Sequence, residues 1–361
     1  MKSELAEELL ATLMDWDRAA FQEKVRQLDA LAAYKFDEYG NFRPGIRFFE
    51  SLASWLAQFE HQNDRATALN FVLDRLIFIS DAEMTHLIEL VYPDHIDLVL
   101  RALVASDLNT PRHEVCRIVN DPVFIGTRRR SLILGASDGA RLDKLRRSAP
   151  FLSHEQFLQS CEPPVALIAP MRDKLTQALK QLNVEMPDTF AHVFLVDDFA
   201  GSGETLLRKE GDKFKGKLTK LRDAIELLAQ AGLVSDDITV TLILYVATEQ
   251  AKEHLTQIIC DSDLPSWAVR VVQVLPKTVR VDQSDTEFTD LAIRMYDEST
   301  TDEHKGRAPL GYADCALPVV LSHNTPNNSV SLLWADTTQE TNTLQRRALF
   351  PRYERHHKDR P

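Results

Sequence analysis

VFLVDDFAGSGET, residues 193–205, decides how the rest of the chain is read. The four apolar residues Val193 to Val196 suit a strand buried on both faces of a parallel sheet. Asp197 and Asp198 stand where that strand should end, and the small-residue loop Ala200 to Thr205 follows before a helical pattern resumes. Ligands of open α/β sheets bind at the carboxyl ends of the strands. A Gly/Ser loop leading into a helix offers unpaired amides to a phosphate. Two carboxylates repel a bare phosphate, so the pair makes sense if the ligand also carries hydroxyls to hydrogen-bond, as a ribose phosphate does. The competing reading is a buried strand with an exposed turn and no ligand, in which adjacent carboxylates would be costly to place. Two other phosphate motifs fail. A Walker A loop needs lysine after its second glycine, where Glu204 stands. A dinucleotide fingerprint needs three glycines straight after the strand and an acid about 20 residues later, whereas here the acids come first.

The composition bounds the possibilities. With 361 residues the chain is long enough for two domains or one elaborated domain. Its 44% hydrophobic and 27% charged content is that of a soluble globular protein. No apolar run approaches the roughly 18 residues of a membrane span, and the N-terminus lacks a signal-peptide core, so a cytoplasmic location without membrane association is expected. Cys116, Cys161, Cys260 and Cys315 are widely spaced, which predicts reduced, mostly buried thiols rather than a metal site.

A net charge of −12 argues against a broad nucleic-acid surface. The charge is uneven. Residues 1–100 hold 9 Lys/Arg against 18 Asp/Glu, whereas residues 128–147 hold Arg128, Arg129, Arg130, Arg141, Lys144, Arg146 and Arg147 against two acids. That basic run reads either as a solvated face or as an anion site, and its place in the chain favours the anion site.

Residues 1–110 carry helical periodicity throughout, for example Phe48, Leu52, Trp55, Leu56 and Phe59, then Ala68, Phe71, Val72, Leu76 and Phe78. An all-helical N-terminal region is expected there. Residues 111–335 read as an α/β core, with strands at Ser131–Ala136, Val165–Ala169, Val193–Val196, Ile238–Val246 and Ala268–Leu275 and helices between them. Residues 207–217 read as an exposed loop, and 336–361 as a C-terminal tail. Internal repeats are absent.

A hydrophobic strand, two acids, two variable residues and a small Thr/Ser/Gly loop resemble the signature with which type I phosphoribosyltransferases bind phosphoribosyl pyrophosphate (PRPP). Gly201 and Glu204 depart from the family's usual residues. The resemblance implies a parallel-sheet core of that family. It also implies that Ala200, Gly201, Ser202, Gly203, Glu204 and Thr205 hold the 5′-phosphate and that Asp197 and Asp198 accept ribose hydroxyl bonds. In the family an earlier strand ends in a pyrophosphate loop, and Ser137-Asp138-Gly139-Ala140-Arg141 looks like it. Arg141 would face the leaving group, with Mg²⁺ held indirectly by the two acids. Read without the family, the same five residues are an Asp-Gly turn.

The chain is also similar to the phosphoribosyltransferase-like proteins of bacterial conflict systems, some of them retron-associated. The features are LILGASDGARLDKLRR (132–147), VFLVDDFAGSGETL (193–206), LSHNTPNNSVSLLW (321–334) and LFPR (349–352), with PGIRFFESLASWLAQF (44–59) and LIFISDAEM (76–84). This likeness implies an effector or accessory role in antiviral defence, in which the protein transfers phosphoribose to, or depletes, an unidentified nucleotide or macromolecule. Its implied partners are proteins of a defence operon, such as a reverse transcriptase with its nucleic acid, or a further copy of the chain. No familiar base-binding hood or Gly-rich lid is seen, so a non-catalytic PRPP or nucleotide sensor and an interaction scaffold both stay open. The Asn324–Ser329 turn is either a group-specific element or a structural turn.

Overall fold

Nine strands are present among the residues described by the computed structural model, which are 3–159, 165–264, 267–297, 308–336 and 346–352. They are β1 (Ile77–Ile79), β2 (Ser131–Gly135), β3 (Phe157–Leu158), β4 (Phe190–Ala200), β5 (Arg208–Glu210), β6 (Lys213–Lys215), β7 (Val234–Thr248), β8 (Trp267–Leu275) and β9 (Val319–Leu321). The chain forms two units, residues 84–276 and residues 1–83 with 277–361. The boundary expected after residue 110 thus falls after Glu83. The stretch 277–335, expected to complete the α/β core, belongs with the N-terminal helices.

Residues 84–276 hold a five-stranded sheet of order β3-β2-β4-β7-β8, with every pair parallel. All five residues of β2 are buried, as a strand covered on both faces requires. From β2 the chain moves outward to β3, and from β4 it moves the other way to β7. The switch point of the sheet therefore lies between the carboxyl ends of β2 and β4, where doubly wound sheets bind ligands.

Three expectations about elements are corrected here. Val165–Ala169 opens a helix, Val165–Gln181, and the second core strand is the two-residue β3. A short apolar run does not separate strand from helix by periodicity, and Pro170 lies inside this helix, where its missing N–H leaves the helical bond to the carbonyl four residues earlier unmade. Residues 207–217 contain the hairpin β5–β6, turned at Gly211 with φ 60°. No helix directly follows the small-residue loop; helix Lys217–Gln230 begins only after the hairpin. Cysteine burial also differs, since Cys116 and Cys260 are exposed and Cys315 is buried; Cys161 lies outside the described residues.

The unit of residues 1–83 and 277–361 is mostly helical but not wholly so. Its helix Gln62–Asp74 stops short of Leu76, and β1 pairs in parallel with β9. Ile-Phe-Ile is β-branched and aromatic, which favours a strand once a partner is available. Aromatic rings fill its core: Phe36, Phe48, Phe78 and Phe350 cluster with centroids 4.7–6.1 Å apart. After helix Asp81–Leu90 the chain widens into a π-helical turn, Val91–Ile96, that accommodates Pro93, and helix Asp97–Asp107 follows. Among the described residues no helix is long and apolar enough to cross a membrane.

At the amino-terminal end of β4, His192 bonds through Nδ1 to Thr239 Oγ1 at 2.7 Å. Burial, and then the Arg130 charge, push its imidazole down to about 4. The folded protein keeps the ring neutral while the unfolded chain takes up a proton near pH 6.5, so stability is lost as pH falls from 6.5 towards 4. Replacing His192 with Gln, which can keep the Thr239 bond, is expected to flatten urea-unfolding free energies across that window. An unchanged pH slope would contradict this.

Candidate functional site

Strand β2 ends its pairing with β4 at Gly135↔Val196, and Ala136 N adds one more bond, to Val196 O, at 2.9 Å. Asp197 is therefore the first residue of β4 beyond the edge of β2, although β4 itself runs on to Ala200 against β7. The acids do not follow the strand, as expected from the sequence, but lie within it. Side chains alternate along a strand, and the two carboxylates accordingly have different surroundings. Asp197 is 1% exposed, while Asp198 is half-buried.

Asp197 is fully engaged. Ser137 Oγ donates to Oδ1, Asp198 N reaches the same oxygen at 3.1 Å, and Lys217 Nζ donates to Oδ2 at 2.9 Å. Desolvation, and next the Asp198 charge, raise its carboxyl above the usual range against the opposing pull of Lys217 and Ser137. Asp198 Oδ1 accepts from Phe199 N at 2.9 Å, and its carboxylate lies against the backbone of Gly139. A Cβ at 139 would sit 2.3 Å from Asp198 Oδ2, so this close approach requires glycine.

The Ser137–Arg141 loop thus meets both acids. Residues Asp138–Ala140 form a 3₁₀ turn, Arg141 takes φ 46°, and helix Leu142–Ser148 follows. The fully buried Tyr245 of β7 donates to Ala140 O, and burial with the nearby acids pushes its phenol up. Asp138 is exposed, and Arg141 is half-buried.

In the small-residue loop, Ala200, Gly201, Ser202 and Gly203 are buried, Glu204 is half-buried and Thr205 is exposed. The loop is braced by Thr248 Oγ1 on Gly201 O at 2.5 Å and by Glu204 N on Ser202 Oγ at 3.3 Å. Gly203 has φ 82° and packs on His254 and Leu255 of helix Glu249–Asp261. The amides of Ser202, Gly203 and Thr205 meet no acceptor among the described residues. Such clustered N–H groups favour an anion.

The basic run does not form one anion site. Arg128, Arg129 and Arg130 precede β2, while Arg141 and Lys144 follow it, so the two groups lie at opposite ends of a strand about 15 Å long. Arg129 pairs with Glu155, Arg130 Nε donates to Thr189 O at 2.9 Å, and Arg128 packs over Phe124 and Phe151. Lys144 Nζ reaches Thr85 Oγ1 at 2.9 Å. Lys217 and Tyr245 were both missed in the sequence. Lys217 closes a polar stretch read as loop, and Tyr245 sits inside an apolar run.

A family model of phosphoribosyltransferase-like proteins, PRTase-CE, matches residues 52–352. The chain belongs to the PRTase-CE family. No curated protein and no solved structure gives a significant match. Within this PRTase-CE chain the acid pair, its loop and Ser137–Arg141 all fall in the unit 84–276. For Mg²⁺ the donor set fits in one way. Among the described residues no three His, Cys, Asp or Glu side chains could hold a metal ion, and both Asp197 oxygens are engaged. Asp198 with substrate oxygens and water would suffice, because Mg²⁺ characteristically binds through one or two carboxylates plus phosphates.

The Asn324–Ser329 turn lies in the other unit and is structural there. Thr325, fully buried, donates to Phe350 O at 3.1 Å and meets Tyr39 Oη at 3.0 Å. Asn328 Nδ2 donates to Tyr312 O, and Arg352 Nη1 to Thr325 O, each at 3.1 Å. The 349–352 segment is thereby pinned to the turn.

Two stability tests follow from these contacts. Thr325→Val is expected to cost about 1–2 kcal/mol in urea unfolding. Lys217→Met leaves Asp197 without its cation and should cost on the order of 1–3 kcal/mol, less than for a fully buried pair because Lys217 is 32% exposed. A raised carboxyl pKa favours the protonated fold at low pH. The Lys217→Met penalty should therefore be largest at high pH and shrink as Asp197 protonates; a pH-independent penalty would count against the ion pair.

Proposed function

We propose that the protein binds PRPP or a related ribose 5-phosphate ligand at the carboxyl ends of β2 and β4. The observation carrying this reading is one cluster at the switch point of the sheet. It joins two acids, a loop whose Ser202, Gly203 and Thr205 amides meet no acceptor among the described residues, and a second loop touching both acids. The amides of Ser202, Gly203 and Thr205 would hold the 5′-phosphate, Asp198 and Asp197 the ribose hydroxyls, and the Ser137–Arg141 loop the pyrophosphate. Mg²⁺, bound by Asp198 and substrate oxygens, would supply charge neutralisation for the pyrophosphate.

In transfer, the anomeric C–O bond breaks and its electron pair leaves on pyrophosphate. The acceptor bonds to the anomeric carbon and its proton passes to solvent. The negative field of the acid pair favours the positive charge that develops on the sugar. The acceptor would be a nucleotide or macromolecule, and the resemblance to conflict-system proteins supports a role as a cytoplasmic antiviral effector working with operon partners.

A second reading, a non-catalytic sensor, is favoured by the packing of Ser137 and Gly139 against the acids. A ligand engaging Asp197 must displace existing hydrogen bonds, and this couples binding to loop position.

PRPP with Mg²⁺ is expected to raise the Tm of the wild type and not of Asp197→Asn/Asp198→Asn in a thermal-shift assay. No shift in the wild type would sink both readings. Pyrophosphate release from PRPP with cell extract would then mark the enzyme, and its absence across acceptor pools the sensor.

A further inference from the structure

Lys217 ties the last residue of the small-residue loop to the strand that leads into it. Its backbone N–H donates to Thr205 O at 3.1 Å, and its Nζ donates to Asp197 Oδ2 at 2.9 Å. The stretch between those two acceptors, residues 197–205, is thus closed by a single residue from outside it. The placement is constrained on the N-terminal side as well. Gly216 has φ 142°, and a Cβ there would lie 2.3 Å from Leu206 O, so the backbone entering helix Lys217–Gln230 is pressed onto the loop. Leu218 N continues the contact, donating to Leu206 O at 2.9 Å.

Electrostatics gives this strap a task. A phosphate entering the loop brings two negative charges towards Asp197 and Asp198. Backbone amides supply only partial positive charge, and Arg141 belongs to the other loop, after β2. An ammonium has three donors. That of Lys217 spends one on Asp197 among the described residues, and the side chain is 32% exposed. Lysine acts as a point charge on phosphates and needs no planar partner. A lysine serving only as counter-ion could be placed anywhere around Asp197, whereas this one is fastened to the loop that the phosphate would occupy.

We propose that Lys217 is the phosphate-binding cation of the site, its ammonium shared between Asp197 and the 5′-phosphate of the ligand. This rests on the ribose-phosphate reading above. Lys217 would neutralise Asp197 in the free protein and carry the ligand's phosphate once the ribose hydroxyls share Asp197. The same residue then reports occupancy of the loop to the helix it begins.

Titration calorimetry with ribose 5-phosphate on the full chain tests this, using wild type, Asp197→Asn, and Asp197→Asn/Lys217→Met. The Asp197→Asn background removes the buried charge, so loss of Lys217 no longer leaves an unpaired carboxylate and the fold is kept, as circular dichroism would verify. If Lys217 touches the phosphate, Asp197→Asn, which keeps an amide oxygen for the ribose hydroxyls beside Asp198, still binds ribose 5-phosphate, and adding Lys217→Met weakens it at least tenfold while leaving inorganic pyrophosphate within threefold. A single variant that no longer binds ribose 5-phosphate counts against the proposal as well. If Lys217 only neutralises Asp197, the single and double variants bind ribose 5-phosphate equally, and the proposal is overturned while the ribose-phosphate reading stands. Failure of the wild type to bind either PRPP or ribose 5-phosphate would overturn both.

Discussion

The burial of the Asp197 carboxylate at the carboxyl end of a central strand is the constraint on which the site depends. A carboxylate with 1% exposure is tolerable only with hydrogen bonds and a counter-charge. Ser137 comes from the loop after β2, and Lys217 from the first residue of a helix 20 positions along the chain. Meeting the needs of one buried group thus draws three separate segments together. Gly139 and Gly216 are consequences of the same closeness, since a side chain at either position would collide with Asp198 or with the Leu206 carbonyl.

Beside that engaged carboxylate lies a loop whose polar groups are only partly engaged among the described residues. Ser202, Gly203 and Thr205 contribute amides without acceptors among the described residues, while Thr248 and helix Glu249–Asp261 hold the loop from beneath. Donors braced in this way would meet an anion with little reorganisation. The unit of residues 1–83 and 277–361 spends its polar groups differently. Thr325 bonds Tyr39 and the Phe350 carbonyl, Asn328 the Tyr312 carbonyl and Arg352 the Thr325 carbonyl, so the Asn/Pro turn fixes a chain segment.

Much of the fold was legible because its signals are local. The apolar runs of β2, β4 and β7 announce buried parallel strands, that of β8 a half-exposed edge strand, and the acid pair followed by Ala200–Thr205 announces the loop. What misled were segments whose identity is settled by partners. Val165–Ala169 is apolar enough for a strand yet lies in a helix, and Ile77–Ile79 looks like the tail of a helix until β9 offers it a ladder. The run Arg128–Arg147 looked like one charged patch because sequence proximity hides that β2 separates its two halves.

By itself the sequence determined the family, the parallel α/β core, and the identity of the residues at the switch point. Apolar periodicity and a thirteen-residue motif are properties of contiguous residues. Only the tertiary structure decided that Ser137 and Lys217 share one carboxylate, that Tyr245 pins Ala140, and that the C-terminal stretch joins the N-terminal helices. These depend on groups 20 to more than 100 residues apart meeting in space. Their pairing follows from the cost of burying polar groups unsatisfied, a condition no local pattern records.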